Sequence, residues 1–276
     1  MQFPEYMAST FPGLILRPPL FYHWPSAIRF ELNAEEKGRT YSETVRHRSN
    51  TLYESIFRPG DLAFLVSSVS YYTSLRHPSP RNGPSFFRTT RGNIFQLSRR
   101  HSLGIPGTAG RQRLIEIEDA DHRLVTTLRY TRVSPRNIDY RFILRGLDET
   151  KYNPRRTRID DRIYFINQTR NIIFHMYDDR GADVLAPTPD TLRELYTTHN
   201  GWILDYNRDR INQTFAPRQR RMTGGHLPQK SGWPIHDGLI VMSGEHHPRV
   251  AHIWVPHLRD GLIVAGCPIH ALAFGA

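Results

Sequence analysis

Between Ile159 and Phe215 the local signals of this chain agree so closely that they narrow its choice of fold. Arg162 to Gln168 and Asn171 to Tyr177 are two runs of β-forming residues joined through a short polar turn. That is the pattern of a hairpin. In the second run Ile172, Phe174 and Met176 alternate with Ile173, His175, Tyr177 and Asp179, so one face reads as core and the other ends polar. Asp178-Asp179-Arg180-Gly181 reads as a turn, with Gly181 supplying a positive φ. Asp183 to Ala186 is a further short strand. Thr188-Pro189-Asp190 then has the hydroxyl, proline and acid of a helix start. Leu192, Leu195, Tyr196 and His199 follow at helical spacing until Asn200-Gly201. The order is β-β-turn-β-α.

The residues before this stretch extend the same mixture. Phe3 to Thr10 is a short helix, and Ala27 to Leu32 alternates Ile28, Phe30 and Leu32 with Ala27, Arg29 and Glu31, as a half-buried strand does. Tyr22 and Trp24, just upstream, suit either a pocket rim or plain packing. Thr40-Tyr41-Ser42-Glu43 has the spacing of a capping box, ahead of a helix that Pro59-Gly60 stops. Asp61 to Val69 reads as a buried strand. Leu114 to Glu118 and Leu124 to Val133 read as two more strands, and Ser134-Pro135 opens a helix with Ile138, Phe142, Ile143 and Leu147 on its apolar side. Strands in series with segregated helices predict an α+β fold, a mainly antiparallel sheet with several packed helices.

The runs FHMYDDRGADV, LRELY and WILDYNRDRI, with the opening PPLFYHWPSAIRFEL, resemble the signature of an uncharacterised bacterial family, domain of unknown function 3885. The likeness covers most of residues 1 to 217 and implies no activity, cofactor or catalytic residue. Composition changes after Pro217. The remainder, 218 to 276, is a His-rich tail, atypical and weakly structured, while residues 1 to 217 form a single domain. In the tail His246, His247, His252, His257 and the Cys267 to His270 pair raise a zinc reading, but their spacing is irregular.

The net charge of +11 comes from 37 basic residues, of which only Lys37, Lys151 and Lys230 are lysine. Arginine offers planar, bidentate contacts to phosphate and carboxylate. Between Asp61 and Glu116 there is no acidic residue, and from about 76 to 113 arginines interleave with Phe86, Phe87 and Phe95, a pattern that suits single-stranded nucleic acid or a solvated loop. With Cys267 as the single cysteine, no internal disulfide forms, and a reducing, cytoplasmic setting fits. No apolar run is long enough for a membrane span.

Two chemistries compete around the turn. Asp178, Asp179 and Asp183 could hold a divalent ion for work on a phosphate ester, with His175 as base. Alternatively His175, Tyr177, Asp178, Asp179, Arg180 and Asp183, with Trp202 and Asp205, form a binding surface for a partner protein, large aromatics being natural anchors. No Gly-rich phosphate loop or nucleophile elbow is present. The primary reading is a non-enzymatic protein-binding module of immunity or regulatory type, without cofactor, metal or assigned catalytic residue.

Overall fold

The structure, a computed structural model, describes residues 1–74, 93–117, 122–148, 159–216 and 262–264. Helix α1 (Phe3–Thr10) has a proline in its first turn, and the Glu5 carboxylate accepts the Gln2 N–H at 3.0 Å. After the one-turn α2 (Leu20–His23) comes strand β1 (Ala27–Glu31). Helix α3 (Tyr41–Ile56) starts on the expected capping box: Thr40 Oγ1 accepts the Glu43 N–H, and the Glu43 carboxylate accepts the Thr40 N–H at 2.8 Å.

The long strands β2 (Ala63–Ser74) and β4 (His122–Val133) pair antiparallel along their whole length, from Ala63 opposite Val133 to Ser74 opposite His122. Helix α4 (Ile94–His101) and strand β3 (Gly110–Ile117) lie between them in the chain, and β3 adds to the outer edge of β4. The other edge of β2 takes β5 (Arg162–Asn167), then β6 (Ile172–Asp178), β7 (Gly181–Leu185) and finally β1. These seven strands are antiparallel throughout. Leu262–Val264, β8, runs parallel to β3, so the sheet order is β1-β7-β6-β5-β2-β4-β3-β8. With helices α5 (Tyr140–Asp148), α6 (Pro189–Thr198) and α7 (Arg208–Phe215) the fold is α+β, as the element order predicts.

Both faces of the sheet are covered. On one, Tyr53 of α3 meets the edges of Phe165 and Phe174 at 5.1 and 6.3 Å and stacks on Tyr140 of α5. On the other, Phe3 and Tyr6 of α1 pack on Phe64 at 5.5 and 5.9 Å. Residues Ile163 to Ile166 and Ile172 to Met176 are therefore buried whichever way they point. Strands covered on both sides lose clean alternation. The second face of β6, expected to end polar, is interior through His175, which is 1% exposed.

Two local readings change. Ser134 to Ile138 forms a turn, closed by the Asn137 N–H on the Ser134 carbonyl, and α5 begins only at Tyr140. Its first turn is capped by Asp139, whose carboxylate accepts the Phe142 N–H at 3.0 Å, because an acidic side chain at that position satisfies an amide that Ser134 cannot reach. Gly181 does not sit at positive φ; the need for glycine there is space. A Cβ would lie 2.2 Å from the Tyr177 hydroxyl and 2.7 Å from the Phe30 carbonyl oxygen. In the β5–β6 hairpin the left-handed position belongs to Asn171, at φ 56°, a conformation asparagine tolerates.

A cleft over an arginine–aspartate pair

Strand register builds the site. Arg29 of β1 and His175 of β6 both stand opposite Asp183 of β7, so these three side chains share one face of three neighbouring strands. Arg29 donates from Nε and Nη2 to the two Asp183 carboxylate oxygens at 2.7 and 2.9 Å. Asp183 is wholly buried and also accepts the Phe21 amide at 3.2 Å. The guanidinium packs near the rings of Phe21, Tyr22 and Tyr177 at 5.0 to 5.2 Å. Burial works to lower the Arg29 pKa, and the hydrogen bonds and charge of Asp183 overcome it, holding the group above its ordinary value.

Above this pair opens a cleft of about 650 Å³, bordered by Pro18, Pro19, Glu31, Arg162, Tyr177 and Leu204, with Arg29 and His175 in its wall. That volume suits a small ligand or one large side chain. Burial pushes the Tyr177 hydroxyl up to about 12. His175 stacks on Tyr164 at 4.3 Å, and its Nδ1 lies 2.8 Å from the Ile163 carbonyl oxygen. A carbonyl only accepts, so Nδ1 carries the proton and Nε2 is left as an acceptor. Desolvation lowers the His175 pKa to about 4, and the Arg29 and Arg162 charges push the same way. The ring is neutral at physiological pH, and its buried Nε2 has no hydrogen-bond partner among the described residues.

The residues singled out in the sequence fall into three groups. His175, Tyr177, Asp178 and Arg180 border the cleft, and Asp183 lies under it. Asp178 accepts from Arg180 Nε and Nη2 at 2.8 and 2.6 Å and from the Arg180 backbone amide. Asp179 is buried and turned to α3, accepting the Tyr41 hydroxyl at 2.6 Å. Trp202 stands apart, stacked on His199 with Arg48 over its ring at 5.3 Å. Asp205 is exposed and paired with Arg208 at 2.7 Å. The three aspartates thus diverge, two to arginines and one to a tyrosine. Among the described residues no group of three or more His, Cys, Asp or Glu side chains could hold a metal ion.

Sequence reasoning missed Arg29, Arg162, Pro18, Pro19 and Leu204. Arg29 was legible only as the outward side of an alternating strand, and which strand it would face is a tertiary matter. Of the aromatic pair upstream, Tyr22 stands beside Arg29 at the site, whereas Trp24 packs, donating its indole N–H to the Ala186 carbonyl and lying against Phe11. In the Arg-rich segment, Phe95 is 7% exposed and belongs to the core, and Arg113 donates to the Tyr71 hydroxyl at 2.9 Å. Phe86 and Phe87, with Arg76, Arg81, Arg88 and Arg91, lie outside the described residues, as do the tail histidines and Cys267. Among the described residues no helix is long and apolar enough to cross a membrane.

The chain is 41% identical over 44 residues to the uncharacterized protein YnaE of Bacillus subtilis (strain 168), a match that covers 16% of this chain and about a fifth (21%) of that protein. No solved structure matches it. A family model, Domain of unknown function (DUF3885), matches residues 3–207, which include every strand and helix that shapes the cleft up to Asn207. The chain belongs to the DUF3885 family.

Proposed function

We propose that this chain is a non-enzymatic, cytoplasmic binding module that engages a partner protein over the mouth of the cleft, in the manner of an immunity or regulatory domain. The observation that carries the reading is the placement of exposed tyrosine. Tyr22, Tyr41 and Tyr206 are 41%, 40% and 86% exposed. Tyr22 borders Arg29 and its hydroxyl accepts the Asn207 side-chain amide at 3.1 Å, beside Tyr206, while Tyr41, at the start of α3, bonds Asp179 in the turn. Two segments far apart in sequence therefore present amphipathic rings beside the cleft, and tyrosine is the residue type that interfaces favour.

The charges below support binding over catalysis. Asp183 and Asp178 are each committed to an arginine, and a histidine with a pKa near 4 is a weak base at neutral pH. Metal-assisted phosphoester chemistry has less support, because the aspartates diverge, and the nucleic-acid reading loses Phe95 as a stacking ring.

A photo-crosslinking side chain placed at Tyr22, at Tyr206 and, as control, at Leu62 tests the reading in the cytoplasm of the source cell. Leu62 is 65% exposed but sits at the opposite end of β6, beside the Thr169 turn. The expected outcome is one protein captured from both tyrosine positions and not from Leu62, with Tyr206→Ala weakening its binding about tenfold. Capture from all three positions alike, or from Leu62 alone, would sink the proposal.

A further inference from the structure

The polar groups in the cleft wall are unequally satisfied. Asp183, Asp178, Arg29 and Arg180 answer one another. Apart from Glu31 and Asn33 at the rim, whose side chains make no hydrogen bond among the described residues, two groups do not close the account. His175 Nε2 is a buried acceptor with no partner among the described residues. Arg162, exposed at the end of β5, makes a single side-chain hydrogen bond, from Nη1 to Ser70 Oγ at 3.2 Å, and has no carboxylate partner among the described residues. Native proteins seldom leave a buried acceptor unmet, and where one is left a ligand or water is the usual answer.

From these two groups we infer that the cleft is a small-molecule site for an anion that also bears a hydroxyl, a hydroxycarboxylate or a phosphate monoester of a polyol. The anionic end sits against the Arg162 guanidinium, and the hydroxyl donates to His175 Nε2. The polarity of that hydrogen bond is fixed, because the Ile163 carbonyl holds the ring proton on Nδ1. An anion without a donor leaves Nε2 unmet, and a neutral alcohol leaves Arg162 unmet. Tyr177, Pro18, Pro19 and Leu204 supply the apolar walls that bury the carbon skeleton. The inference goes beyond protein docking at the rim and does not depend on it.

Matched probes test it on the full chain by calorimetry: citrate against propane-1,2,3-tricarboxylate, and glycerol 3-phosphate against propyl phosphate. Saturable binding of at least one hydroxyl-bearing member is expected, with its hydroxyl-free counterpart about tenfold weaker, the usual consequence of stranding a buried polar group. The ¹⁵N resonance of His175 Nε2 should move only with the hydroxyl-bearing probe. Arg162→Met, at an exposed position, should weaken both members of a pair, and His175→Asn, which keeps a donor for the Ile163 carbonyl, should erase the difference between them. If His175→Asn fails to fold, the wild-type ratio and the ¹⁵N shift still decide. Binding of neither hydroxyl-bearing probe, equal affinity within the pairs, or unchanged affinity in Arg162→Met would each overturn the inference; equal affinity is also what a buried water on Nε2 would produce.

Discussion

Asp183 has no contact with solvent, and its place in the interior rests on the two Arg29 nitrogens and the Phe21 amide. Removing one partner of such a pair strands the other in a medium that cannot solvate it. Arg29→Met is therefore expected to cost about 3–5 kcal/mol in urea unfolding, while Arg29→Met with Asp183→Leu recovers most of that loss. His175 gives a different signature. Its folded pKa of about 4 lies below the ordinary 6.5, so between those values the unfolded chain binds the proton more readily. The contribution is present above pH 6.5 and is lost as pH falls towards 4, amounting to about 3 kcal/mol over that window. Unfolding free energies measured from pH 7 to pH 4 should fall with that slope in the wild type and less steeply in His175→Asn. The candidate site was half legible at this scale: His175, Tyr177, Asp178, Arg180 and Asp183 stand out in a short run. Arg29 and Arg162 do not, because nothing local distinguishes a strand arginine facing solvent from one facing a buried carboxylate.

The elements form where short-range chemistry is unambiguous. The box at Thr40 and Glu43 is complete in both directions, and Thr40→Ala should cost about 1 kcal/mol, seen as a lower urea midpoint, with Thr40→Ser close to wild type. The β5–β6 hairpin, the β6–β7 turn and the Pro189 start of α6 are equally local and were readable, although the Thr188 hydroxyl meets the Thr191 hydroxyl and caps no backbone amide. The start of α5 was not. Ser134-Pro135 and Asp139 both offer capping chemistry, and the choice falls to Asp139, whose amide bonds back to the Leu103 carbonyl at 2.9 Å. The two-sided burial of β6 escaped periodicity for a related reason. Alternation reports only whether a face meets water, and here α1 and the segment after it cover the second face.

Across the whole molecule, the described core extends from Phe3 to Phe215 as one cluster. The family match ends within it, at residue 207. The contribution of the region beyond 217 to the described structure is β8, three residues on the outer edge of β3. A chain ended after Ala216 should therefore keep a single cooperative thermal transition, with a midpoint within about 5 °C of the full chain, as a loss of roughly 1 kcal/mol would produce. A broad transition, or aggregation through the uncovered β3 edge, would place the tail inside the folding unit.

The amino-acid sequence by itself determined the elements: hairpin, caps, turns, and the α+β class that follows from strands in series with segregated helices. Those depend on interactions within a few residues, and each is written in residue type and spacing. Strand neighbours are another matter. Arg29 meets Asp183 across 154 residues, and Tyr41 meets Asp179 across 138. These contacts arise because β1 closes on β7 at one edge of the sheet while α3 returns over the β6–β7 turn. Only the tertiary structure could decide that the aspartates part company and that His175 lies buried and half satisfied in the wall of a cleft.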